Sequence, residues 1–439
     1  MEHKKFHYKS INEIQEECGK IGINLPLSNN CSKLHQILKM GNKTVCNRLV
    51  IQPMEGCDGM ADGTPDELTR RRYQRFAASG AGMIWFEAVA VTHEGRANPR
   101  QLYIHKNNVD AFAEVVSGIK KSCFERYGFE PILIMQATHS GRYSKPDGVP
   151  KPVIAQHKPI FEKNQPLPDS CIISDGELER VEEVYGVAAK LAEQAGFDGI
   201  DVKNCHGYLN NELMTAYERP GNYGGSLENR TRFFYRSIEA CKAATKGDFL
   251  VTSRMNVYDG YPFPYGFGTK DENASVDLQE PLAVIEPLVK KYGFQMLDVT
   301  IGNPYFNPHV NRPYDVGGYI PPEHPLEGIA RMMRCVGEVQ RQFPELAVIG
   351  SAFSYLRQFS QYLAAGAIEA GACSLAGFGR MAFAYPEFAR DMLQGTLNPR
   401  KVCVACGKCT ELMRGGLQAG CVVRDSDIYL PLYQKIKQG

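Results

Sequence analysis

The sequence lacks several features that would assign it to other classes of protein. It contains no apolar run near the ~20 residues that a membrane-spanning helix needs, and its first residues, MEHKKFHYKSINEIQEE, include no apolar stretch typical of a signal peptide. The 50 basic and 49 acidic residues nearly cancel, so no overall field attracts nucleic acid or an anionic membrane. We therefore expect a cytoplasmic protein that binds neither nucleic acid nor membrane.

Disorder and low complexity are excluded by the composition. Hydrophobic residues make up 43% and charged residues 23% of the chain, as is usual for a globular protein. A length of 439 residues fits two or three domains, but a single large α/β barrel would also use most of it. The chain has 14 cysteines, and because it is neither small nor signal-bearing we expect free thiols rather than a disulfide framework.

What the sequence does contain is a regular alternation of short apolar runs and amphipathic stretches. Most of the apolar runs are continuous, which is typical of parallel strands covered by helices. Eight such units in series predict an α/β fold of the (β/α)8 TIM barrel type, with a doubly wound sheet as the alternative. The predicted strands are 48–53, 82–88, 131–136, 198–203, 249–254, 295–300, 346–350 and 372–376.

Polar residues lie at the ends of several predicted strands. Glu55 follows the first strand, Gln136 ends the third, Lys203 the fourth and Arg254 the fifth. Because active sites of such barrels are built at the carboxyl ends of the strands, these residues predict a functional site there.

Five motifs occur in chain order. They are NRLVIQPMEG from Asn47, QATHSGR from Gln136, AGFDGIDVKNCHGYL from Ala195, YGGSLENRTRF from Tyr223 and GFGR from Gly377. Together they resemble the old yellow enzyme family of FMN-dependent oxidoreductases, and within it the barrel part of 2,4-dienoyl-CoA reductase-like NADH:flavin oxidoreductases. We accordingly divide the chain into a short N-terminal lead segment at 1–40, an FMN-binding barrel at 41–400 and a Cys-rich C-terminal segment at 401–439.

The resemblance implies an FMN site at the mouth of the barrel. Arg254 corresponds to the guanidinium that stabilises negative charge on the reduced flavin. Gln136 corresponds to the amide at the pyrimidine edge, where a group that both donates and accepts is suitable. The residues implied beside the flavin ring are Pro53, Met54, Glu55 and Ala88, and those implied at the phosphate are Gly350, Ser351, Gly377, Gly379 and Arg380.

The resemblance also implies that substrate chemistry depends on Lys203, His206 and Tyr208. His206 corresponds to one member of a pair that binds the substrate carbonyl, and Tyr208 corresponds to the proton donor. The other member of the pair is normally histidine, so Lys203 departs from the family pattern. A lysine there would bind a developing enolate, pair with a substrate carboxylate, or bridge to Glu55, and the sequence leaves these three roles open.

Four cysteines near the C-terminus form a separate motif. Cys403, Cys406 and Cys409 have the spacing C-x2-C-x2-C, and Cys421 follows after eleven residues. Such a group suits an iron–sulfur cluster or a zinc ion. The resemblance implies a [4Fe–4S] cluster, although most relatives have the third cysteine one residue further along. We expect the cluster, with zinc or unligated thiols as the alternatives.

The function expected from these features is that of an FMN-dependent ene-reductase. It would transfer a hydride from reduced flavin to the C=C bond of an enone, an enoyl thioester or an unsaturated acid. No GxGxxG fingerprint follows a predicted strand, so we expect NAD(P)H acting directly on the flavin, or an external electron-donor protein, to supply the electrons. A flavin- and iron–sulfur-dependent amine dehydrogenase or demethylase is the main alternative, and a redox sensor or electron-carrier subunit is another. The resemblance also implies a homo-oligomer.

Overall fold

Short parallel strands form the centre of the molecule. The computed structural model describes residues 5–163, 165–315 and 317–438. The strands within these residues are β1 Leu38–Met40, β2 Lys43–Val45, β3 Leu49–Ile51, β4 Met83–Ala90, β5 Ile132–Thr138, β6 Gly199–Val202, β7 Leu250–Thr252, β8 Arg254–Tyr258, β9 Met296–Ile301, β10 Ala347–Gly350 and β11 Leu375–Phe378.

Strands β3 to β11 form one sheet in which every pairing is parallel. The order is β7-β6-β5-β4-β3-β11-β10-β9-β8. The two edge strands, β7 and β8, are separated only by Ser253, so they are halves of one bent strand that pairs with β6 on one side and β9 on the other. A bridge between Asn204 and Met255 joins the two edges further. The predicted (β/α)8 barrel is therefore confirmed, and the doubly wound sheet is wrong because the first barrel strand lies beside the last.

Helices follow most of the barrel strands and cover the outside of the sheet. They are α1 Ile11–Lys20, α2 Glu67–Ala77, α3 Val109–Tyr127, α4 Pro159–Glu162, α5 Asp175–Gln194, α6 Leu209–Leu213, α7 Leu227–Ala244, α8 Gln279–Lys290, α9 Pro308–Asn311, α10 Pro325–Gln342, α11 Ser360–Glu369, α12 Arg380–Ala384, α13 Phe388–Leu393, α14 Lys408–Arg414 and α15 Ser426–Gln438. In the described parts of the chain, no helix has the length and apolar character required to cross a membrane.

Two element boundaries differ from the sequence prediction in a way that affects the site. The predicted fifth strand is divided at Ser253, so Arg254 begins β8 rather than ending a strand. The last strand lies at Leu375–Phe378 instead of 372–376, which brings Gly377 into the sheet. Hydrophobicity does not distinguish a strand from the apolar turn before it, and this accounts for the shift.

Both ends of the chain pack on the barrel. Ile14 and Cys18 of α1 are buried in the main hydrophobic core, as is Cys403. Helices α14 and α15 also share a small apolar cluster that includes Leu412 and Tyr429. The three-part division of the chain stays a prediction.

Candidate active site

One cavity opens at the carboxyl ends of the barrel strands. Its volume is about 1100 Å³ when the space that is open to solvent is included. The predicted residues that line it are Pro53, Met54, Glu55, Ala88, Gln136, Lys203, His206, Tyr208, Arg254, Ser351, Gly377, Gly379 and Arg380. Gly350 is not among the lining residues. It ends β10, where an added Cβ would lie 3.3 Å from the Cys373 side chain.

Asp201, on β6, organises one end of this cavity, which we call the Asp201 end. Its carboxylate accepts hydrogen bonds from Gln136 Nε2 at 2.7 Å, Trp85 Nε1 at 2.9 Å and the backbone N–H of Arg254 at 2.7 Å. Burial raises the pKa of Asp201 to about 6, and the three donors oppose that rise. Because Asp201 takes one N–H of the Gln136 amide, the amide oxygen and the second N–H are left for a ligand.

Arg254 faces a second buried carboxylate at the same end. Its Nε lies 3.1 Å from Asp298 Oδ2, but neither atom has a hydrogen-bond partner among the described residues. Burial raises the pKa of Asp298 to about 7, against the effect of Arg254. Gln52 Nε2 donates to Asp298 Oδ1 at 3.0 Å and to Ser351 Oγ at 3.1 Å, while Gln52 Oε1 is buried without a partner there. The cavity floor thus carries several polar atoms that the described residues leave unpaired.

Lys203 lies on the cavity wall beside Tyr208. Its Nζ is 3.9 Å from the centroid of the Tyr208 ring, a cation–π distance. Among the described residues no carboxylate lies within 4.0 Å of Nζ, so the bridge to Glu55 considered from the sequence is not formed as an ion pair. Glu55 instead accepts from Asn98 Nδ2 at 2.8 Å. Burial lowers the pKa of Lys203 and raises that of Glu55.

His206 is held in a single orientation by Asn311. Asn311 Nδ2 donates to the carbonyl oxygen of Ile301 at 2.9 Å and also lies 3.2 Å from His206 Nε2. A carbonyl only accepts, so the atom facing the histidine is the amide nitrogen, which offers a donor to Nε2 as well as to Thr300 Oγ1 at 3.1 Å. Burial, with the nearby charges of Arg254 and Lys203, lowers the pKa of His206 well below its ordinary value. The ring is therefore neutral, with its proton on Nδ1.

Tyr208 makes its hydrogen bond to a residue that the sequence did not single out. The hydroxyl oxygens of Tyr208 and Tyr305 lie 2.9 Å apart. The Tyr305 ring stacks on Tyr143 with 3.9 Å between ring centroids, and Asn303 Nδ2 donates to the Tyr143 hydroxyl at 3.0 Å. Tyr208 is 3% exposed and Tyr305 is 37% exposed, so part of Tyr305 reaches the surface, although burial raises the pKa of its hydroxyl above the ordinary value.

Two glycines allow strand β11 to approach the first barrel strand. A Cβ on Gly377 would lie 2.1 Å from Gln52 Nε2, and one on Gly379 would lie 2.6 Å from Met54 Sδ. Both distances are shorter than real Cβ contacts, so a larger residue at either position would displace the end of the Gln52 or the Met54 side chain. A different backbone feature positions His206, whose φ of 67° lies in the left-handed region that few non-glycine residues adopt.

The opposite end of the cavity, which we call the arginine end, carries Arg312 and Arg380. In the parts of the chain that the structure describes, neither guanidinium forms an ion pair or a hydrogen bond. Burial and the nearby charge of Arg380 lower the pKa of Arg312 to about 10. Two cations that lie close together with no carboxylate partner form a suitable site for an anion.

The four cysteines line a small second cavity next to the arginine end. Arg380, Phe383 and Cys409 belong to both cavities. The lining of the second cavity includes Cys403, Cys406, Cys409 and Cys421. Burial raises the pKa of Cys403 to about 11, and the charge of Arg380 opposes this.

Backbone N–H groups point at two of these sulfur atoms. The Ala405 N–H donates to Cys403 Sγ at 3.4 Å, and the Arg424 N–H donates to Cys421 Sγ at 3.3 Å. Within the described residues, no three His, Cys, Asp or Glu side chains are arranged to hold a single metal ion. A cubane cluster has different requirements, because each cysteine binds a different iron and the sulfurs stand farther apart than around one ion.

The Cys-rich segment is fastened to the barrel at three points. Arg71 forms a two-pronged ion pair with Asp425, with both N–O distances at 2.8 Å. The Ala419 N–H donates to the carbonyl oxygen of Gly56 at 2.6 Å. Arg414 Nη2 donates to the carbonyl oxygen of Pro304 at 2.8 Å, next to Tyr305. Part of the segment therefore forms the wall of the main cavity.

Sequence reasoning missed several lining residues. Gln52 precedes the motif residues Pro53 and Met54 directly, and a polar side chain at the end of an apolar strand could have indicated it. Tyr305, Asn311 and Arg312 lie in the long loop between β9 and α10, where nothing in the local pattern indicates which side chains turn inward. Nothing in the sequence pattern indicated that Thr410, Met413 and Ala419 of the Cys-rich segment line the cavity.

Comparisons with known proteins agree with this geometry. The family described as NADH:flavin oxidoreductase / NADH oxidase matches residues 33–273. An NADPH dehydrogenase of Geobacillus sp. is 31% identical over 264 residues, which are 59% of this chain and 70% of the relative. An NADPH dehydrogenase of Clostridium acetobutylicum is 29% identical over 230 residues, 52% of this chain and 65% of the relative.

A solved structure of 2-naphthoyl-CoA reductase in complex with 2-naphthoyl-CoA shares the fold. The TM-score is 0.73 at 18% identity, and the match covers 90% of this chain but only 57% of that one. The chain thus spans less than two thirds of that protein and of the Clostridium relative. The match to more than half of the chain and the curated relatives establish that this protein belongs to the old yellow enzyme family of FMN-dependent NADH:flavin oxidoreductases.

Proposed function

We propose that the protein is an ene-reductase, which uses reduced FMN to saturate the C=C bond of an α,β-unsaturated carbonyl compound. The observation that carries the proposal is the convergence of Lys203, His206 and Tyr208 on one wall of the cavity. Two of these side chains bind and polarise an oxygen, and the third donates a proton. Such a set matches the charge that develops when a hydride adds to a conjugated carbonyl compound.

The residues present fit FMN. At the Asp201 end, the oxygen of Gln136, Gln52 Oε1 and Arg254 Nε are available to a polar ring edge. At the arginine end, Arg312 and Arg380 offer two unpaired cations to a phosphate. Bound here, FMN supplies the hydride.

The chain's own groups then handle the substrate. The neutral His206 donates from Nδ1, because Asn311 occupies Nε2. Lys203 adds a second N–H donor beside Tyr208, since its Nζ lies 3.9 Å from the centroid of that ring. Tyr208 is 3% exposed, so its proton is delivered where bulk water does not compete. Together they polarise the carbonyl and protonate the α-carbon.

We further propose that the four cysteines hold a [4Fe–4S] cluster. They line one small cavity, and N–H donors to Cys403 and Cys421 sulfur are a common means of stabilising a cluster's negative charge. Cys409, which borders both cavities, places the cluster site next to the FMN site.

We propose NAD(P)H as the reductant, because the two relatives are NADPH dehydrogenases. A protein electron donor is the alternative, because a cluster suits single-electron transfer. A reducing cytoplasm is the proposed location. All 14 cysteines lie in the described residues and all are free, which accords with that compartment.

The first experiment follows the flavin absorbance of the reduced holoprotein under anaerobic conditions. We expect rapid reoxidation by one of three groups of substrates: enones, enoyl thioesters or unsaturated acids. Replacement of Tyr208 by Phe is expected to lower turnover on the order of 10²-fold or more while FMN stays bound. If none of the three classes reoxidises the flavin but an amine bleaches the oxidised flavin, the amine dehydrogenase alternative replaces the proposal. Loss of FMN in the Tyr208→Phe variant would contradict the role assigned to Tyr208.

The cluster has its own test. We expect about four iron and four sulfide per chain in anaerobically purified protein. Cys409→Ser should lose this content. Cys373→Ser is the matched control, because Cys373 is a buried free cysteine outside both cavities. Zinc in place of iron, or equal iron content in the two variants, would contradict the proposal.

A further inference from the structure

We propose that Tyr305 relays protons from solvent to Tyr208. This makes Tyr305 a positioning residue, which acts on the substrate through Tyr208, and the inference rests on the ene-reductase function proposed above. The contact that carries it is the 2.9 Å separation of the two hydroxyl oxygens.

Tyr208 needs such a partner because it cannot exchange protons with bulk water. Its side chain is 3% exposed. Once Tyr208 has given up its proton, a buried phenolate remains, and burial raises the pKa of Tyr208 well above its ordinary value. The phenolate is therefore costly and must be reprotonated before the next turnover. The hydroxyl that lies within hydrogen-bond distance is that of Tyr305, which is 37% exposed.

Tyr305 is held in place rather than left to swing freely. Its ring stacks on Tyr143 with an interplanar angle of 16°. Its backbone N–H donates to Asn303 Oδ1 at 2.9 Å, and Asn303 Nδ2 donates to the Tyr143 hydroxyl at 3.0 Å. The preceding carbonyl, that of Pro304, accepts from Arg414 of the Cys-rich segment. A fixed donor at the right distance avoids the entropy cost of finding one at each turnover.

The proton and electron balance closes without another reagent. Bound reduced flavin would supply the hydride for the β-carbon, and Lys203 and His206 would hold the carbonyl oxygen that receives the π pair of the alkene. As the enolate collapses, the α-carbon takes the Tyr208 proton. Tyr208 takes the Tyr305 proton, and Tyr305 takes one from water. The Lys203 ammonium, 3.9 Å from the Tyr208 ring centroid, offsets the transient negative charge.

A purely structural reading is that Tyr305 only completes the cavity wall. Tyr143 provides the matched control, because its ring belongs to the same stack but its hydroxyl contacts Asn303 and not Tyr208. Tyr305→Phe and Tyr143→Phe each remove one hydroxyl and keep the stacked rings. If Tyr305 only completes the cavity wall, Tyr305→Phe and Tyr143→Phe should affect proton delivery to a similar extent. If Tyr305 relays protons, Tyr305→Phe should slow proton delivery much more than Tyr143→Phe.

The experiment mixes anaerobically reduced holoprotein with 1-nitrocyclohexene. Hydride addition to a nitroalkene yields a nitronate, an anion stable enough to be followed in the ultraviolet, so flavin reoxidation and proton delivery are recorded separately. In Tyr305→Phe we expect flavin reoxidation within about twofold of the wild-type rate. With nitronate in large excess over enzyme, so that each Tyr208 must be reprotonated many times, we expect nitronate protonation in Tyr305→Phe to be slowed on the order of tenfold or more. Tyr143→Phe keeps the hydroxyl pair of Tyr208 and Tyr305 and loses only the contact to Asn303, so it should slow nitronate protonation much less than Tyr305→Phe does. For the wild type, a plot of the nitronate protonation rate against the deuterium fraction of the solvent should be curved, because two protons move. For Tyr305→Phe the same plot should be linear.

Tyr305→His provides a second variant, because it restores a proton-carrying group and should recover part of the protonation rate. Equal nitronate protonation in wild type and Tyr305→Phe, or a linear dependence on deuterium content in the wild type, would overturn the relay. Should Tyr305→Phe fold poorly, a histidine variant with no recovery would overturn it as well. If wild-type flavin is not reoxidised by the nitroalkene or by any enone, the ene-reductase function itself is wrong, and the relay falls with it.

Discussion

At the Asp201 end of the cavity the charged groups have partners, whereas at the arginine end Arg312 and Arg380 form no ion pair within the described parts of the chain. The first end consists of strand residues, whose positions are fixed by the sheet. The second is formed by loops and the short helices that follow them. The difference shows that the charges at the first end are balanced by carboxylates of the protein, although several polar atoms there stay unpaired, while the other end depends on an anion for its electrostatic balance.

The largest effect is expected from Asp201→Ala. Three buried donors, from Gln136, Trp85 and Arg254, would lose their acceptor, and each costs about 1–3 kcal/mol when unpaired, so the free energy of unfolding should fall by about 3 kcal/mol or more. Urea unfolding followed by circular dichroism measures this, and the single tryptophan reports locally. Asp201→Asn keeps one acceptor oxygen and should lose less. A fall below about 1 kcal/mol in the Ala variant would show that the Asp201 end is not held as described.

A medium effect is expected at the arginine end from Arg380→Met. Hydrogen bonds to charged groups contribute about 1.5–3 kcal/mol, so FMN affinity should drop roughly 10- to 100-fold while riboflavin, which has no phosphate, binds as before. Titration of the apoprotein with each flavin measures both affinities. Arg424→Met is the control, because Arg424 lines only the cysteine cavity. Equal losses for FMN and riboflavin would mean that Arg380 does not meet the phosphate.

A smaller effect is expected between the two ends, from Asn311→Leu. Without the amide nitrogen on Nε2, His206 no longer has a fixed tautomer, and one hydrogen bond contributes about 0.5–1.5 kcal/mol. The affinity of the holoprotein for a phenol, whose oxygen mimics an enolate, should therefore fall roughly 2- to 10-fold. The perturbation of the flavin spectrum reports this binding. Unchanged affinity would remove Asn311 from the site.

The smallest effect is expected from pH, because His206 should not titrate in the rate of flavin reoxidation. Because the pKa of His206 lies well below its ordinary value, the ring stays neutral at every pH above that lowered value. Flavin reoxidation by an enone should therefore show no inflection near pH 6.5, where an unperturbed histidine titrates. Stopped-flow rates across this range test it. An inflection there that disappears in His206→Asn would contradict the neutral assignment.

The sequence predicted part of each end: Gln136 and Arg254 at the Asp201 end and Arg380 at the arginine end, but not Asp201, Asp298 or Arg312. Continuous apolar strands predicted the barrel, and the motif residues Gln136 and Arg254 lie where barrel geometry requires them. Arg312 and Tyr305 were not predicted, because they lie in a loop whose path depends on tertiary contacts and not on periodicity. Arg254 begins a strand instead of ending one. The sequence did not predict this, because the hydrophobicity pattern does not reveal the break at Ser253.

The three contacts that fasten the Cys-rich segment to the barrel also bear on how the protein is made. Gly56, Arg71 and Pro304 all leave the ribosome before their partners Ala419, Asp425 and Arg414 are synthesised. Since chains fold from the N-terminus as they emerge, the barrel would be in place while one wall of its cavity is still untranslated. The cofactor site is therefore enclosed only late in the synthesis of the chain.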